Sequence, residues 1–378
     1  MKFAHLSDLH LGKRLHQFSL IEDQKYILNK IVKELEKEKV DAVILAGDIY
    51  DKMYPSSEAV ALFDYFIVEL SKIQVQIFVI SGNHDSAERI ACLGEITKKA
   101  GLYLTPVYQG EITPITLEDE FGRVNIYLLP FIKPVHVRYF FKEEKVESYT
   151  DALRIAINKM KIDKRERNIL AAHQFVTGAR RSESEEITVG GLDNVEVGVF
   201  SEFDYVALGH IHSPQEMGEQ RIRYCGTPLK YSFSEAGDEK SLTIVEIKEK
   251  GNLKIKTIPL IPLRDLIKLK GRFTDLMNPL NYPGLKTDSY LHITLLEEED
   301  VPEAFYRLSC VYPNLMYMVY ENRRTKAKGE LVIEENTEKT SPQDVFSKLY
   351  EEMNHQPLTE KQDTYLMEKI QKIWGGEE

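Results

Sequence analysis

The sequence predicts an α/β fold built on parallel strands, and two observations carry that prediction. Five short apolar runs have the composition of buried strands, and each ends in polar residues of the same chemical kind. Lys2–Leu6 is followed by Asp8 and His10, and Asp41–Gly47 by Asp48. Val75–Ile80 leads to Gly82-Asn83-His84-Asp85, Asn168–Ala172 to His173, and Asp204–Leu208 to Gly209-His210-Ile211-His212. Continuous apolar runs of this length read as central parallel strands. Ligands gather beyond the carboxyl ends of such strands in open α/β sheets. Five strand ends therefore point to one site.

Residues 1–105 alternate strand and helix. After His10, the polar turn Gly12-Lys13-Arg14 precedes a helix over about 19–38, with Ile27, Leu28, Ile31 and Leu35 at helical spacing. A second helix runs from Pro55-Ser56-Ser57 through Ile73. Val60, Leu62, Phe63, Tyr65, Phe66, Ile67 and Leu70 give it more than one apolar face, which predicts a subunit interface around Leu62 and Phe66. A third helix is expected over 86–100, then a strand at Leu102–Val107. Short runs with turns from 110 to 132 predict antiparallel pairing. Arg221–Phe233, Leu242–Ile247 and Leu253–Pro259 read as antiparallel strands, and Pro259-Leu260-Ile261-Pro262 as a boundary. Strands near 265–270, 288–295 and 315–321, with a helix near 302–309, make a small α+β unit.

A charged stretch, 325–340, leads to two amphipathic helices. Ser341-Pro342-Gln343-Asp344 is a helix start, with Ser as cap and Pro at the first helical position. Val345, Phe346, Leu349, Tyr350 and Met353 follow as an apolar stripe. Pro357 breaks the helix, and Thr359-Glu360 begins another bearing Leu366, Ile370, Ile373 and Trp374. Such helices suit docking in a partner's groove, with Phe346 or Trp374 as anchor. The expected domains are 1–262, 263–335 and 336–378.

Composition excludes several classes. At 378 residues the chain exceeds one ordinary domain, and 43% hydrophobic with 29% charged residues is ordinary for a globular protein. A net charge of −11 offers nucleic acid no global attraction, so contact must come from local patches. Lys13-Arg14 is one; 130–181, with twelve Lys or Arg against six Asp or Glu, is another. Three distant cysteines and no Cys-x-x-Cys argue against a disulfide framework and thiolate zinc sites. Neither a leader nor a membrane-length apolar run is evident, so a cytoplasmic location is expected.

Spacing supplies the chemistry. Residues i and i+2 of extended chain point the same way, so Asp8 with His10, and His210 with His212, should each present two ligands together. Asp48, Asn83 and His173 raise the set to seven nitrogen or oxygen donors. Two cations of four protein ligands each would be satisfied if Asp48 is shared. Cations about 3.5–4 Å apart can activate water and stabilise both oxygens of an in-line displacement at phosphorus. Only Asp8 and Asp48 are anionic, so two divalent ions leave a positive site suited to phosphate. Imidazole, carboxylate and amide without thiolate fit Mn²⁺, Fe²⁺ or Zn²⁺. His84 neighbours Asn83 and so projects toward the substrate side, where it can protonate a leaving oxygen. Asp51 is expected to accept a hydrogen bond from His84, and Asp85 to support a metal ligand.

Asp8-Leu9-His10, Gly47-Asp48-Ile49-Tyr50-Asp51, Gly82-Asn83-His84-Asp85 and Gly209-His210-Ile211-His212, in that order with His173 between, resemble the calcineurin-like metallophosphoesterases. Pro55-Ser56, Ser182-Glu183-Ser184-Glu185, Phe203–His210 and Tyr224-Cys225-Gly226-Thr227-Pro228 narrow the likeness. Over 1–235 it is to the nuclease subunits of bacterial SbcCD complexes, counterparts of the double-strand-break repair nuclease of archaea and eukaryotes; beyond 262 the layout alone is similar. The resemblance implies a two-sheet α/β sandwich flanked by helices, a small capping domain and C-terminal helices. It implies Mn²⁺-dependent DNA cleavage in repair and recombination: exonuclease action on duplex ends, and endonuclease action on single strands or hairpins. Asp8, His10, Asp48 and His212 would hold one metal, and Asp48, Asn83, His173 and His210 the other, with His84 catalytic.

The implied partners are DNA, a second copy of the chain, and the SMC-like ATPase SbcC, gripped through 336–378 in a complex with two copies of each subunit. The implied location is cytoplasmic and nucleoid-associated. The long basic tail of the eukaryotic relatives is absent, so DNA grip would rest on Lys13, Arg14, 130–181 and the partner. Two other functions remain open: a DNA-end tether with secondary catalysis, and a small-molecule phosphodiesterase. His5 is read as a packed strand residue, and His16, His136, His292 and His355 as structural.

Overall fold

The computed structural model describes residues 1–185, 194–322, 346–347, 350 and 358–374. Met1–Tyr320 and Glu321–Glu378 form two compact units. Two six-stranded mixed sheets dominate the first. One runs in the order Leu253–Pro259, Ser241–Ile247, Lys2–Leu6, Ala42–Ala46, Gln76–Ile80, Leu102–Leu104; the last four are parallel and the first two form an antiparallel edge. The other runs Gln215–Met217, Glu219–Tyr224, Tyr205–Gly209, Arg167–His173, Gly122–Leu129, Ile115–Asp119, with four parallel strands between two antiparallel edges.

Side-chain alternation decides the layering. Ala42, Ile44 and Ala46 face the second sheet, meeting Ile169, Ala171 and Ala207. Val43 and Leu45, one residue out of phase, face the helices Ile21–Glu38 and Ser57–Lys72. Residues 134–140 and 149–158 cover the far side of the second sheet. The result is a helix–sheet–sheet–helix sandwich. Because both faces of the central strands are buried, their sequences are continuously apolar. His5 is a buried polar residue of the first sheet; Nδ1 meets the Tyr205 hydroxyl at 2.9 Å and Nε2 the Leu208 carbonyl at 3.2 Å.

Several expectations change. Helix Ser57–Lys72 buries Leu62 and Phe66 in the core, so these two residues do not form an exposed face. Its apolar surplus is largely used within the chain: Phe63 packs edge-on against Tyr50, and the Tyr65 hydroxyl donates to Asn29 Oδ1 at 2.7 Å. The stretch 86–100 is not one helix, since Leu93 at φ 61° separates the short turns Ala87–Ile90 and Gly94–Thr97. Arg221–Phe233 stops being a strand at Tyr224 and pairs parallel to Tyr205–Gly209.

Beyond Pro262, Leu266–Gly271, Tyr290–Leu295 and Leu315–Tyr320 pair in parallel, with helix Ala304–Val311 packed on them. Arg264 ties this sheet to the first long helix by donating to Asp23 Oδ2 at 2.8 Å, where the Tyr290 hydroxyl also donates at 2.7 Å. In the second unit, helix Glu360–Trp374 is described. The helix start at Ser341, the break at Pro357, His355 and the boundary at 335 lie outside the described residues.

Candidate active site

The first sheet's loops leave it in an unusual conformation. Asp8, His10 and Asp48 have φ of 53°, 43° and 49°, and His210 from the second sheet has 103°. Left-handed backbone is costly for residues other than glycine and concentrates at functional sites. The i, i+2 expectation is corrected here: the extended strands end at Leu6 and Gly209, and sharp turns, not strand alternation, aim these pairs. Asp8 N–H donates to the Gly47 carbonyl and His10 N–H to the Asp48 carbonyl, both at 3.0 Å, so the two loops stay zipped together past the strands. A Cβ on Gly82 would collide with Asp48 Oδ1, and one on Gly209 with the Ala46 carbonyl. Only glycine permits that approach.

All seven donors named from the sequence come together. Asp48 Oδ2 lies 3.3 Å from His173 Nε2, 3.7 Å from His10 Nε2 and 4.0 Å from His84 Nε2. Asn83 Oδ1 lies 3.1 Å from His173 Nε2 and 2.9 Å from His210 Nδ1. His10 Nε2 faces His212 Nε2 at 3.1 Å. Asp8, His10 and His212 form one compact donor group, and Asp8, Asp48 and His173 another. Asp8 also accepts the His210 N–H at 3.0 Å, which joins the two sheets through the site.

Ring orientation follows from the backbone. His173 Nδ1 donates to the Ala46 carbonyl at 2.8 Å, leaving Nε2 to face the centre. His84 Nδ1 donates to Asp51 at 3.1 Å, but to its carbonyl oxygen. The expected contact with the Asp51 carboxylate is therefore corrected; that carboxylate pairs with Lys13 Nζ at 2.7 Å. Lys13 is half-buried in this pair, whereas Arg14 is exposed and donates to the Gln17 carbonyl. Among the described residues, Asp85 bonds to no ligand ring. It accepts the backbone N–H groups of Ile49, Tyr50 and Gly82 at 2.9–3.0 Å, tying two site loops together.

Sequence reasoning missed the supports of His10. Gln24 Nε2 donates to the His10 carbonyl at 2.8 Å while its Oε1 accepts the Gly12 N–H at 3.0 Å. Tyr231 packs edge-on against the His10 ring. A buried Gln on the apolar face of a helix was the available signal. Glu185, inside the quoted Ser182–Glu185 block, accepts the His212 N–H at 2.7 Å.

The electrostatics suit cations. Burial pushes the Asp8 carboxyl up to about 6, although His173 and His212 pull against it. Burial would raise Asp48 too, but His173 and then His10 and His84 hold it well below the usual carboxylate range. Burial alone would lower His173, yet Asp48 lifts it to about 9. Burial, then His173, takes His210 down to about 3, and burial lowers His10. His10 Nδ1 and His210 Nε2 are buried and meet no hydrogen-bond partner among the described residues. Imidazoles such as His10 and His210, kept neutral by burial and set beside two carboxylates, fit divalent cations.

The model for calcineurin-like phosphoesterases matches residues 1–214, and one described as the type 5 capsule protein repressor C-terminal domain matches 262–354. The chain is 32% identical over 369 residues, 96% of each protein, to the D subunit of the nuclease SbcCD from Staphylococcus epidermidis. Among solved structures, a dimetal phosphatase from Danio rerio is similar at TM-score 0.40 and 10% identity, covering 69% of this chain and 96% of that one. A Thermus thermophilus structure is similar at TM-score 0.38 and 13% identity, covering 68% and 98%. With the sandwich and its buried donor set in place, the whole-length match makes this chain a phosphoric-ester hydrolase of the calcineurin-like family, in the branch of the SbcCD nuclease D subunits.

Proposed function

We propose that this chain is a cation-dependent nuclease that hydrolyses DNA phosphodiesters, acting exonucleolytically on duplex ends with an SbcC-type ATPase and endonucleolytically on single strands or hairpins. The observation that carries the reading is the convergence of Asp8, His10, Asp48, Asn83, His173, His210 and His212 beside a partly exposed His84. Asp8, His10, Asp48 and His212 would hold one cation, and Asp48, Asn83, His173 and His210 the other, with Mn²⁺ preferred over Fe²⁺ or Zn²⁺. Cations held there would supply Lewis acidity at phosphorus and water activation at neutral pH.

His84 supplies the proton chemistry. Its Nδ1–H is engaged by the Asp51 carbonyl, so Nε2 is the atom that meets the leaving oxygen. General acid catalysis by such a group contributes about 10²–10⁴-fold. Arg14, the exposed cations of 130–181 and the partner grip the DNA. Lys13 acts there only if it leaves Asp51. Residues 336–378 dock on the ATPase, and two copies of each subunit assemble. The exposed Val60 and Val68 on helix Ser57–Lys72 replace Leu62 and Phe66 as its candidates for self-association. Domains 1–262, 263–335 and 336–378 divide these tasks. The proposed location is cytoplasmic and nucleoid-associated; among the described residues no helix is long and apolar enough to cross a membrane.

The test is release of nucleotides from labelled duplex and single-stranded DNA with Mn²⁺, with and without the ATPase, beside a small phosphodiester. His84→Ala is expected to keep both ions and DNA binding while cleavage falls about 10²–10⁴-fold. Hydrolysis of the small ester alone would overturn the nuclease reading.

A further inference from the structure

One buried network touches the site without a part in the reaction as described. Glu235 lies in the turn Phe233–Glu235, outside every motif quoted from the sequence, and is 1% exposed. Its Oε2 accepts from Lys240 Nζ at 2.7 Å, and Lys240 also donates to the His212 carbonyl at 2.8 Å. Ser184 Oγ sits between Glu235 Oε1 and His212 Nδ1, 2.6 Å from each. Direct contact between His212 Nδ1 and Glu235 Oε1 is too long, at 3.6 Å, for a hydrogen bond.

Proton counting fixes the direction of this chain. A hydroxyl has one proton to give, and a carboxylate paired with a buried ammonium has none. Ser184 therefore donates to Glu235 and accepts from His212. The proton on the His212 ring is thereby held at Nδ1, and the lone pair at Nε2 faces His10 Nε2 across 3.1 Å. The neighbouring Ser182 Oγ, 2.7 Å from Ser184 Oγ, carries its own proton and can fill the remaining lone pair of Ser184. Which ring nitrogen can bind a metal is set by the hydrogen bond that the other one makes.

We infer that Glu235, acting through Ser184, is a positioning residue that holds His212 in the Nδ1–H tautomer and so presents Nε2 to the cation centre. The inference rests on the reading of His212 as a cation ligand. Lys240 keeps the carboxylate charged and braces the His212 main chain. If Glu235 is removed, the Ser184 proton is free to turn onto His212 Nδ1. The ring proton then moves to Nε2, where it points into the centre and blocks the ligand.

The experiment uses the full-length, metal-free protein with nitrogen-15 in its histidines. Ring-nitrogen NMR reads the tautomer of His212, and calorimetry with Mn²⁺ reads affinity. Glu235→Ala is combined with Lys240→Met so that no buried cation is left unpaired, and circular dichroism verifies folding. Wild type is expected to show Nδ1 protonated. The double variant is expected to lose that signature and to bind one Mn²⁺ about 10–100-fold more weakly. Ser184→Ala should also weaken that Mn²⁺, whereas Ser184→Thr, which keeps the hydroxyl, should restore it. A purely structural role would leave the ring signature unchanged. An unprotonated Nδ1 in wild type, or an unchanged tautomer in the folded double variant, would overturn the inference. A ring proton that moves while Mn²⁺ affinity stays constant would instead overturn the ligand reading of His212.

Discussion

The two sheets contribute different chemistry to one centre. Loops of the first carry both carboxylates, the amide, His10 and His84; loops of the second carry the other three imidazoles of the donor set and no carboxylate of that set. Their supports differ in the same way. First-sheet residues are held by backbone: loops zipped through Asp8 and His10, three N–H groups on Asp85, and left-handed turns at Asp8, His10 and Asp48. Second-sheet rings are held by distant partners, His173 by the Ala46 carbonyl and His212 by Ser184. The anionic half is thus built locally, while His173 in the imidazole half depends on the sheets packing together. A cation between them gains from both.

The largest effect that probes this division is on the fold of the first half. Phe66 is fully buried between its helix and sheet. Phe66→Ala should cost about 3–5 kcal/mol, and Phe66→Asp more, read as a lowered denaturation midpoint with no change in subunit number. A stable monomeric Phe66→Asp variant from an oligomeric wild type would restore the interface reading of this helix.

An intermediate effect comes from the backbone clamp. An Asn at position 85 has one carbonyl oxygen for three N–H groups, so Asp85→Asn should cost about 1.5–3 kcal/mol, because hydrogen bonds to charged groups are the stronger ones. The first-sheet loops should loosen, and cleavage should fall about 10–100-fold, as for supports of metal ligands. Equal activity with equal stability would show that the local clamp is dispensable.

The smallest effect is a proton. In the metal-free protein His173 titrates near 9, because Asp48 overcomes the effect of its burial. It is therefore protonated at pH 7 and must lose that proton before Nε2 can bind a cation. Mn²⁺ affinity should rise between pH 7 and 9, and calorimetry in buffers of different ionisation enthalpy should show proton release. His173→Ala should abolish that release.

Much of this division was readable from residues in order. The strands were legible because both faces of Ala42–Ala46 and Tyr205–Gly209 are buried, which leaves an uninterrupted apolar run. The seven donors were legible because each follows such a run. What escaped depends on contacts distant in sequence. Gln24 reaches Tyr231, Glu235 reaches Ser184, and Lys13 takes the Asp51 carboxylate from His84. The turns at Asp8, His10 and Asp48 escaped because Asp and His carry no propensity signal for left-handed backbone as clear as glycine's. The surplus on helix Ser57–Lys72 is shared out by contacts distant in sequence, Phe63 meeting Tyr50 and Tyr65 meeting Asn29.

The central claim is that Asp48 joins the two halves by serving both cations. Calorimetric titration of metal-free protein with Mn²⁺ tests it most directly, in wild type, Asp48→Asn and His173→Ala. Two ions are expected per wild-type chain, one in His173→Ala, and the weakest binding of all in Asp48→Asn. Two ions of unchanged affinity in a folded Asp48→Asn protein would contradict the shared site.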